Sequence, residues 1–507
     1  MATYQATPVA DIASIRDGLF AAYATGKTKD IAFRKEQLLQ VAYMFQDNKQ
    51  RFRDALAQDL ARPPNETDFL EFVAIMEQSL KAYENVHKWA KPDSPAFSIN
   101  TFPMRPRVYK EPKGVALIIG PFNYPLFCVF TPFIGAMAAG CAAAIKPSEM
   151  TPATAALVTE LMPKYLDSRF YTVINGAVPE TTALLDLQWD HIFFTGGGRV
   201  AKVVATAAAK YLTPTTLELG GKNPTIVDKD IDFDASARRI LWGKTANAGQ
   251  SCTAPDYIMV VGREAHDKLI AGFEKAYKTF YPNPDTQVDE MTHVVNAASF
   301  QRITGLLERT KGKIVLGGKT DASKNWISTT IVDGCSFDDA LLESEVFGPV
   351  LSVVTVDSIE QAVAHVRKGD NPLGCYIFTR SQKNADYVRM NTTSGTFMVN
   401  ETVIQAGIYG IPFGGIGPSG SGYSNGKYAF DTFTHLRGSL HLPGWMEKMM
   451  AFRYPPHTPK KLSQMKMLMR TIPYARPGSK PATPWGKLFA SLAVVVGIVA
   501  AYRHKSK

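Results

Sequence analysis

Three residues of this 507-residue chain stand in settings that suit them to chemistry at a carbonyl carbon. Cys252 lies in NAGQSCTAPDY, flanked by small and polar residues and not by an apolar wall. A free cysteine is by default a small core hydrophobe, and Cys128, Cys141 and Cys375, in apolar or strand-like sequence, fit that description. Glu218 sits inside the apolar run of TLELGGKNP, where a carboxylate must either pair or titrate upward. A raised pKa is what a general base needs near neutral pH. Asn123, in GPFNYP between two prolines, is a neutral donor in a rigid turn. An amide there can stabilise an oxyanion without disturbing the charge of a nearby thiolate. The five cysteines include no CxxC pair, so neither a zinc knuckle nor a disulfide framework is expected. Cysteine usage indicates a reducing compartment with one thiol free to act.

These residues need a scaffold, and the pattern from residue 114 supplies one. Short apolar runs (GVALIIG, AAAIKP, FYTVING, HIFFTGGG) alternate with helical stretches such as TPATAALVTELMPKYL and RVAKVVATAAAKYL. Strands separated by helices of ten or more residues predict βαβ units and a parallel sheet. A second α/β stretch runs from about Pro224 to Gly410, with strand-like YIMVVG, KIVLGG, VLSVVTV and YIFTR. Gly196, Gly198 and Ala201 match G-x-G-x-x-A between a strand and a helix, the context of a dinucleotide fingerprint. Gly318-Lys319-Thr320 resembles the end of a P-loop, but Lys313 occupies the required glycine position.

Composition narrows the class. Hydrophobic residues make up 45% and charged residues 20%, which excludes disorder, collagen-like repetition and a multi-span membrane protein. The net charge of +10 is localised: twelve Lys and Arg and no Asp or Glu fall between Lys448 and Lys507, leaving the preceding residues at −2. A basic surface on the folded body, as nucleic-acid binding would require, is not expected. The N-terminus lacks a basic n-region followed by an apolar core, so no secretory signal is expected. Near the other end, Leu488 to Tyr502 is a fifteen-residue run without charge. Extended back to Trp485 it would reach about 27 Å as a helix, close to the roughly 30 Å hydrocarbon core. Trp485 and Tyr502 suit the two interfaces, and a C-terminal membrane anchor is expected. The preceding KKLSQMKMLMRTI reads as a basic amphipathic helix for an anionic membrane face.

Seven motifs in order resemble the aldehyde dehydrogenase superfamily: PFNYP, KPSE, FTGG, LELGGKNP, GQSCTAP, EVFGP and IPFGG, over roughly residues 10 to 440. SGYSNGKYAFDTFTH and RYPP resemble class 3 members, and the hydrophobic tail is similar to their membrane-anchored fatty-aldehyde branch. The resemblance implies an NAD(P)-binding, Rossmann-like domain (1–98 and 113–218) and an α/β catalytic domain (219–415). A small β oligomerisation arm (99–112 and 416–440) would build a homodimer. A basic segment (441–484) and the anchor (485–503) would follow. It implies Cys252 as nucleophile, Asn123 and the Cys252 N–H as oxyanion donors, and Glu218 as base, with Glu345 its rival. No metal is implied. Lys146 and Glu149 would meet the adenosine ribose, and Gly196 and Gly197 the pyrophosphate. Gly198, Val200 and Ala201 belong to the same set, while Glu345 and Phe347 would place the nicotinamide. The family often has Ser or Asn where Gly197 stands, so the phosphate contact would come from backbone. NAD is the expected cofactor, with NADP possible. The expected substrates are long-chain aliphatic aldehydes, with aromatic aldehydes, acyl transfer to CoA and a non-catalytic scaffold as alternatives. The catalytic body would face the cytosol from the endoplasmic reticulum, mitochondrial outer membrane, peroxisome or lipid droplet.

Overall fold

The computed structural model describes residues 3–98 and 101–466, with positions 468, 469, 472, 474 and 476–478. The expected anchor, 485–503, lies outside the described residues. Among those described, no helix is long and apolar enough to cross a membrane.

Two sheets carry the fold. The first has six strands in the order Gly420–Ser421, Thr215–Glu218, His191–Thr195, Val115–Ile119, Ala142–Lys146 and Tyr171–Val173. All pairings are parallel except the short 420–421 strand against Thr215–Glu218. Val115–Ile119 and Ala142–Lys146 are buried at every residue, as continuous apolar strands of a sheet covered on both faces must be. The chain builds outward from Val115–Ile119 to Tyr171–Val173, then returns to place His191–Thr195 on the opposite side. That reversal opens a crevice beyond the C-terminal ends of the two adjacent strands, where α/β sheets bind ligands.

The second sheet has seven strands in the order Thr396–Val399, Gly374–Phe378, Pro224–Val227, Tyr257–Val261, Val350–Val356, Thr330–Asp333 and Lys313–Leu316. It is parallel apart from its last strand. All eight predicted strands are present, and the predicted helices TPATAALVTELMPKYL and RVAKVVATAAAKYL form as Pro152–Tyr165 and Gly198–Ala209. The predicted basic amphipathic helix is helical over Pro459–Lys466, with Leu462 and Met465 exposed.

Among the described residues, 94–98, 101–107 and 438–466 belong to a separate compact unit. Within it Phe97 and Phe102 pack ring to ring at 5.2 Å, and His441 N–H donates to the Met104 carbonyl at 2.8 Å. Phe97, Phe102 and Trp445 are all exposed.

Candidate active site

Cys252 reaches its position through an unusual backbone. After the helix Phe233–Thr245, Asn247 (φ 54°), Ala248 (φ 52°) and Gly249 (φ 65°) are all left-handed. For residues with a Cβ that conformation costs roughly 1–2 kcal/mol each, so the surroundings must impose it. Gly249 shows one reason: a Cβ there would lie 2.2 Å from the Gly348 carbonyl oxygen. The Cys252 loop and the EVFGP turn are packed backbone to backbone. Asp256 and Arg302 hold that turn further, Asp256 accepting from Val346 N–H (3.1 Å) and Arg302 donating to its carbonyl (2.7 Å).

Cys252, Glu218, Tyr124 and Ser251 line one cavity of about 290 Å³. Its other walls are mostly apolar, with Thr131, Thr195, Thr253 and Ser424 the polar exceptions. Phe69 and Val73 come from one helical segment, Phe127 and Pro132 from another, and Trp242 with Val403 and Ile408 from elsewhere. Phe69 and Trp242 meet edge to face at 5.7 Å. Phe69, Val73 and Ile408 are exposed, so the apolar surface continues beyond the cavity. The polar flanks of Cys252 in sequence therefore mislead: its spatial neighbours are largely apolar and arrive from distant segments. Burial, followed by the negative charges of Glu345 and Glu218, pushes the thiol up to about 12. Cys128, read as a core thiol, is indeed buried but also lines this cavity.

Glu218 ends the strand Thr215–Glu218 and is 4% exposed. Among the described residues neither carboxylate oxygen has a hydrogen-bond partner, and burial raises its pKa well above the ordinary range. Ser424, on the same cavity, donates instead to the Phe413 carbonyl at 3.4 Å. An unpartnered buried carboxylate is costly. Glu345 is also buried, raised to about 8 by desolvation and by Asp256. It lies against Gly220, where a Cβ would come within 2.6 Å of its carboxylate, and it does not line the cavity. Asn123 is buried and, like Glu345, does not line the cavity; its Nδ2 donates to the Gln250 carbonyl at 3.0 Å, two residues before Cys252.

The expected cofactor residues gather at the crevice of the first sheet. Lys146 closes the strand Ala142–Lys146, is 3% exposed, and pairs with Glu149 at 3.1 Å. Gly197 is the N-cap of the helix Gly198–Ala209. A Cβ at Gly197 or Gly198 would meet nothing within 4 Å, so open space fronts the first N–H groups of that helix. This is the arrangement that receives a phosphate. Gly196 N–H is committed to the Glu218 carbonyl (3.0 Å), and the Val200 and Ala201 N–H groups to the Gly197 carbonyl. Ala201 is buried and Val200 exposed. Phe347, itself left-handed (φ 46°), meets Phe122 edge to face at 6.0 Å. The residues present fit a dinucleotide.

A doubly wound α/β enzyme with a thiol beside a dinucleotide crevice is the class that fold and site define. The sequence model of the aldehyde dehydrogenase family matches residues 1–438. Human aldehyde dehydrogenase family 3 member B1 is 37% identical, covering 88% of this chain and 95% of that protein. The beta-apo-4'-carotenal oxygenase of Neurospora crassa is 38% identical over 93% of this chain and 88% of its own. The solved structure of Staphylococcus aureus AldH in a substrate-bound state superposes with a TM-score of 0.87 at 35% identity, covering 90% of this chain and 99% of that one. The chain belongs to the aldehyde dehydrogenase family. It is an NAD(P)-dependent aldehyde dehydrogenase of the class 3 type.

Sequence reading missed Arg62, Trp242 and Asp256. Neither Arg62, in DLARPPNE, nor Trp242 carries a local signal of its place. The electrostatics also predict an outcome. Because the Glu345 charge holds the Cys252 thiol up, Glu345→Gln lowers its pKa and raises its thiolate fraction. Iodoacetamide labelling at pH 9, followed by mass spectrometry of the Cys252 peptide, is expected to run several-fold faster in the variant. An unchanged rate would show that burial alone sets the thiol.

Proposed function

We propose that this enzyme oxidises long apolar aldehydes to carboxylic acids, with Cys252 as nucleophile, Asn123 as oxyanion donor and Glu218 as the base for hydrolysis. The observation that carries this is the placement of Cys252 and the unpartnered Glu218 carboxylate on one cavity whose walls are mostly apolar. The Cys252 thiol gives up its proton to water in the cavity, the thiolate attacks the aldehyde carbon, and the Asn123 amide with the Cys252 N–H holds the resulting oxyanion. Bound nicotinamide supplies the hydride acceptor. Lys146 and Glu149 would hold the adenosine ribose, the N–H groups at Gly197 and Gly198 the pyrophosphate, and Glu345 and Phe347 the nicotinamide end. Glu218 then takes a proton from the water that attacks the thioester. Glu149 favours NAD by repelling a 2′-phosphate.

Chain length enters through the rim. An alkyl chain longer than the cavity continues over Phe69, Val73 and Ile408 and keeps gaining, at roughly 0.8 kcal/mol per buried CH₂. The carotenal in the name of the Neurospora relative is consistent with a long apolar substrate. The aliphatic tail between Leu488 and Tyr502 would hold the enzyme where such aldehydes concentrate. The exposed Phe97, Phe102, Leu440 and Trp445 supply an apolar surface for a homodimer. The test is kcat/KM for hexanal, decanal, hexadecanal and benzaldehyde with NAD and NADP, with and without residues 485–507. A rise of about tenfold or more from hexanal to hexadecanal is expected; a preference for benzaldehyde would overturn the substrate class.

A further inference from the structure

Arg62 follows the helix Lys49–Leu60 and is 1% exposed. A guanidinium so deep in a protein needs its charge compensated; among the described residues its Nε has no hydrogen-bond partner, and the terminal nitrogens carry its contacts. One terminal nitrogen donates to Glu71; the other donates to the Asn123 backbone carbonyl and to Asn247 Oδ1, each at 2.5 Å. Glu71 in turn accepts from the Leu126 and Phe127 N–H groups at 2.8 Å, so the ion pair grips the PFNYP turn on both sides of Tyr124.

The Asn247 contact matters as much. By supplying a donor to Oδ1, Arg62 fixes which end of that carboxamide faces which way. Asn247 Nδ2 is then left to donate to the Asn123 carbonyl (2.8 Å) and the Gln250 carbonyl (2.9 Å). The Gln250 carbonyl is the same acceptor that takes the Asn123 side chain at 3.0 Å. One guanidinium thus holds the backbone of Asn123, the left-handed residue that launches the nucleophile loop, and, through Asn247, the acceptor that orients the Asn123 amide.

We propose that Arg62 is a positioning residue for the oxyanion site: it registers the Asn123 turn against the Cys252 loop so that the free Asn123 N–H points where the oxygen becomes negative. The proposal rests on Asn123 being the oxyanion donor. Lysine keeps the charge for Glu71 but cannot meet three acceptors in a fork. Misplacing a reacting group by about 1 Å costs about 10²-fold in rate.

The test uses the full-length enzyme, with rates expressed per titratable Cys252 thiol. Arg62→Lys is expected to lower kcat about 10- to 100-fold while KM for NAD stays within about twofold. Hydride transfer should become rate-limiting, so a primary isotope effect appears with aldehyde deuterated at C1. The Arg62→Met/Glu71→Gln double variant, which removes both members of the ion pair, is expected to show the same split should Arg62→Lys fold poorly. Placed on Asn123→Ala, Arg62→Lys should cost nothing further. An unchanged kcat per thiol, or a full additional loss on the Asn123→Ala background, would overturn the proposal. If Asn123→Ala by itself keeps full kcat, the assignment of Asn123 fails instead, a separate and visible result.

Discussion

Replacing Cys252 by alanine is expected to remove NADH formation from hexadecanal, by a factor on the order of 10⁵ or more. The size of that loss follows from the site having no substitute. Among the described residues Cys128 is the one other thiol on the cavity, and burial holds its pKa well above the usual range. Its neighbours are helical, within Phe127–Ala139, and give it no loop N–H pointing at a shared oxyanion. Cys252→Ala preserves volume to within a sulfur atom at a half-buried position, so the fold and the dinucleotide crevice should survive. The measurement is steady-state NADH production together with NAD binding by fluorescence titration. Activity lost with binding retained supports Cys252 as nucleophile. Substantial turnover in the alanine variant would remove it, and would direct attention to Cys128→Ser.

What the sequence made legible was whatever has a local cause. Alternation of apolar runs with helical stretches gave the parallel sheets, since burial on both faces leaves a strand little choice but Val, Ile and Ala, as in Val115–Ile119 and Ala142–Lys146. Glu218 was visible because a carboxylate among leucines violates the local pattern, and the structure finds it buried and unpartnered. The walls of the cavity were not visible. Phe69, Trp242 and Ile408 are ordinary apolar residues in their own segments, and only the tertiary fold brings them to Cys252. The thiol's own setting was misjudged for the same reason: GQSCTAP is polar along the chain and apolar through space. Arg62 shares this character, because its three acceptors lie 9, 61 and 185 residues away.

Glu218→Gln separates the two halves of the reaction. Attack by sulfur and hydride loss need no base at residue 218, so one equivalent of NADH per site should still appear quickly. Hydrolysis of the thioester does need a proton acceptor, and its loss is expected to slow steady-state turnover by about 10²- to 10⁴-fold. The variant should therefore show a burst followed by near arrest, with the acyl group detectable as a mass increase on the Cys252 peptide. The sign of the pH dependence follows from the raised pKa. Below it the wild-type carboxyl holds its proton and cannot act as a base, so deacylation accelerates as pH rises through that value. Glutamine has no proton to lose, and this rise should vanish in the variant. Glu345 is the rival, with a pKa near 8 and a stronger charge effect on the thiol. It packs against Gly220 away from the cavity, whereas Glu218 faces the same space as the sulfur. Glu345→Gln should accordingly leave the burst and the steady state in their wild-type ratio. If that variant accumulates the acyl-enzyme and Glu218→Gln does not, the base is Glu345, and the unpartnered carboxylate of Glu218 needs another explanation.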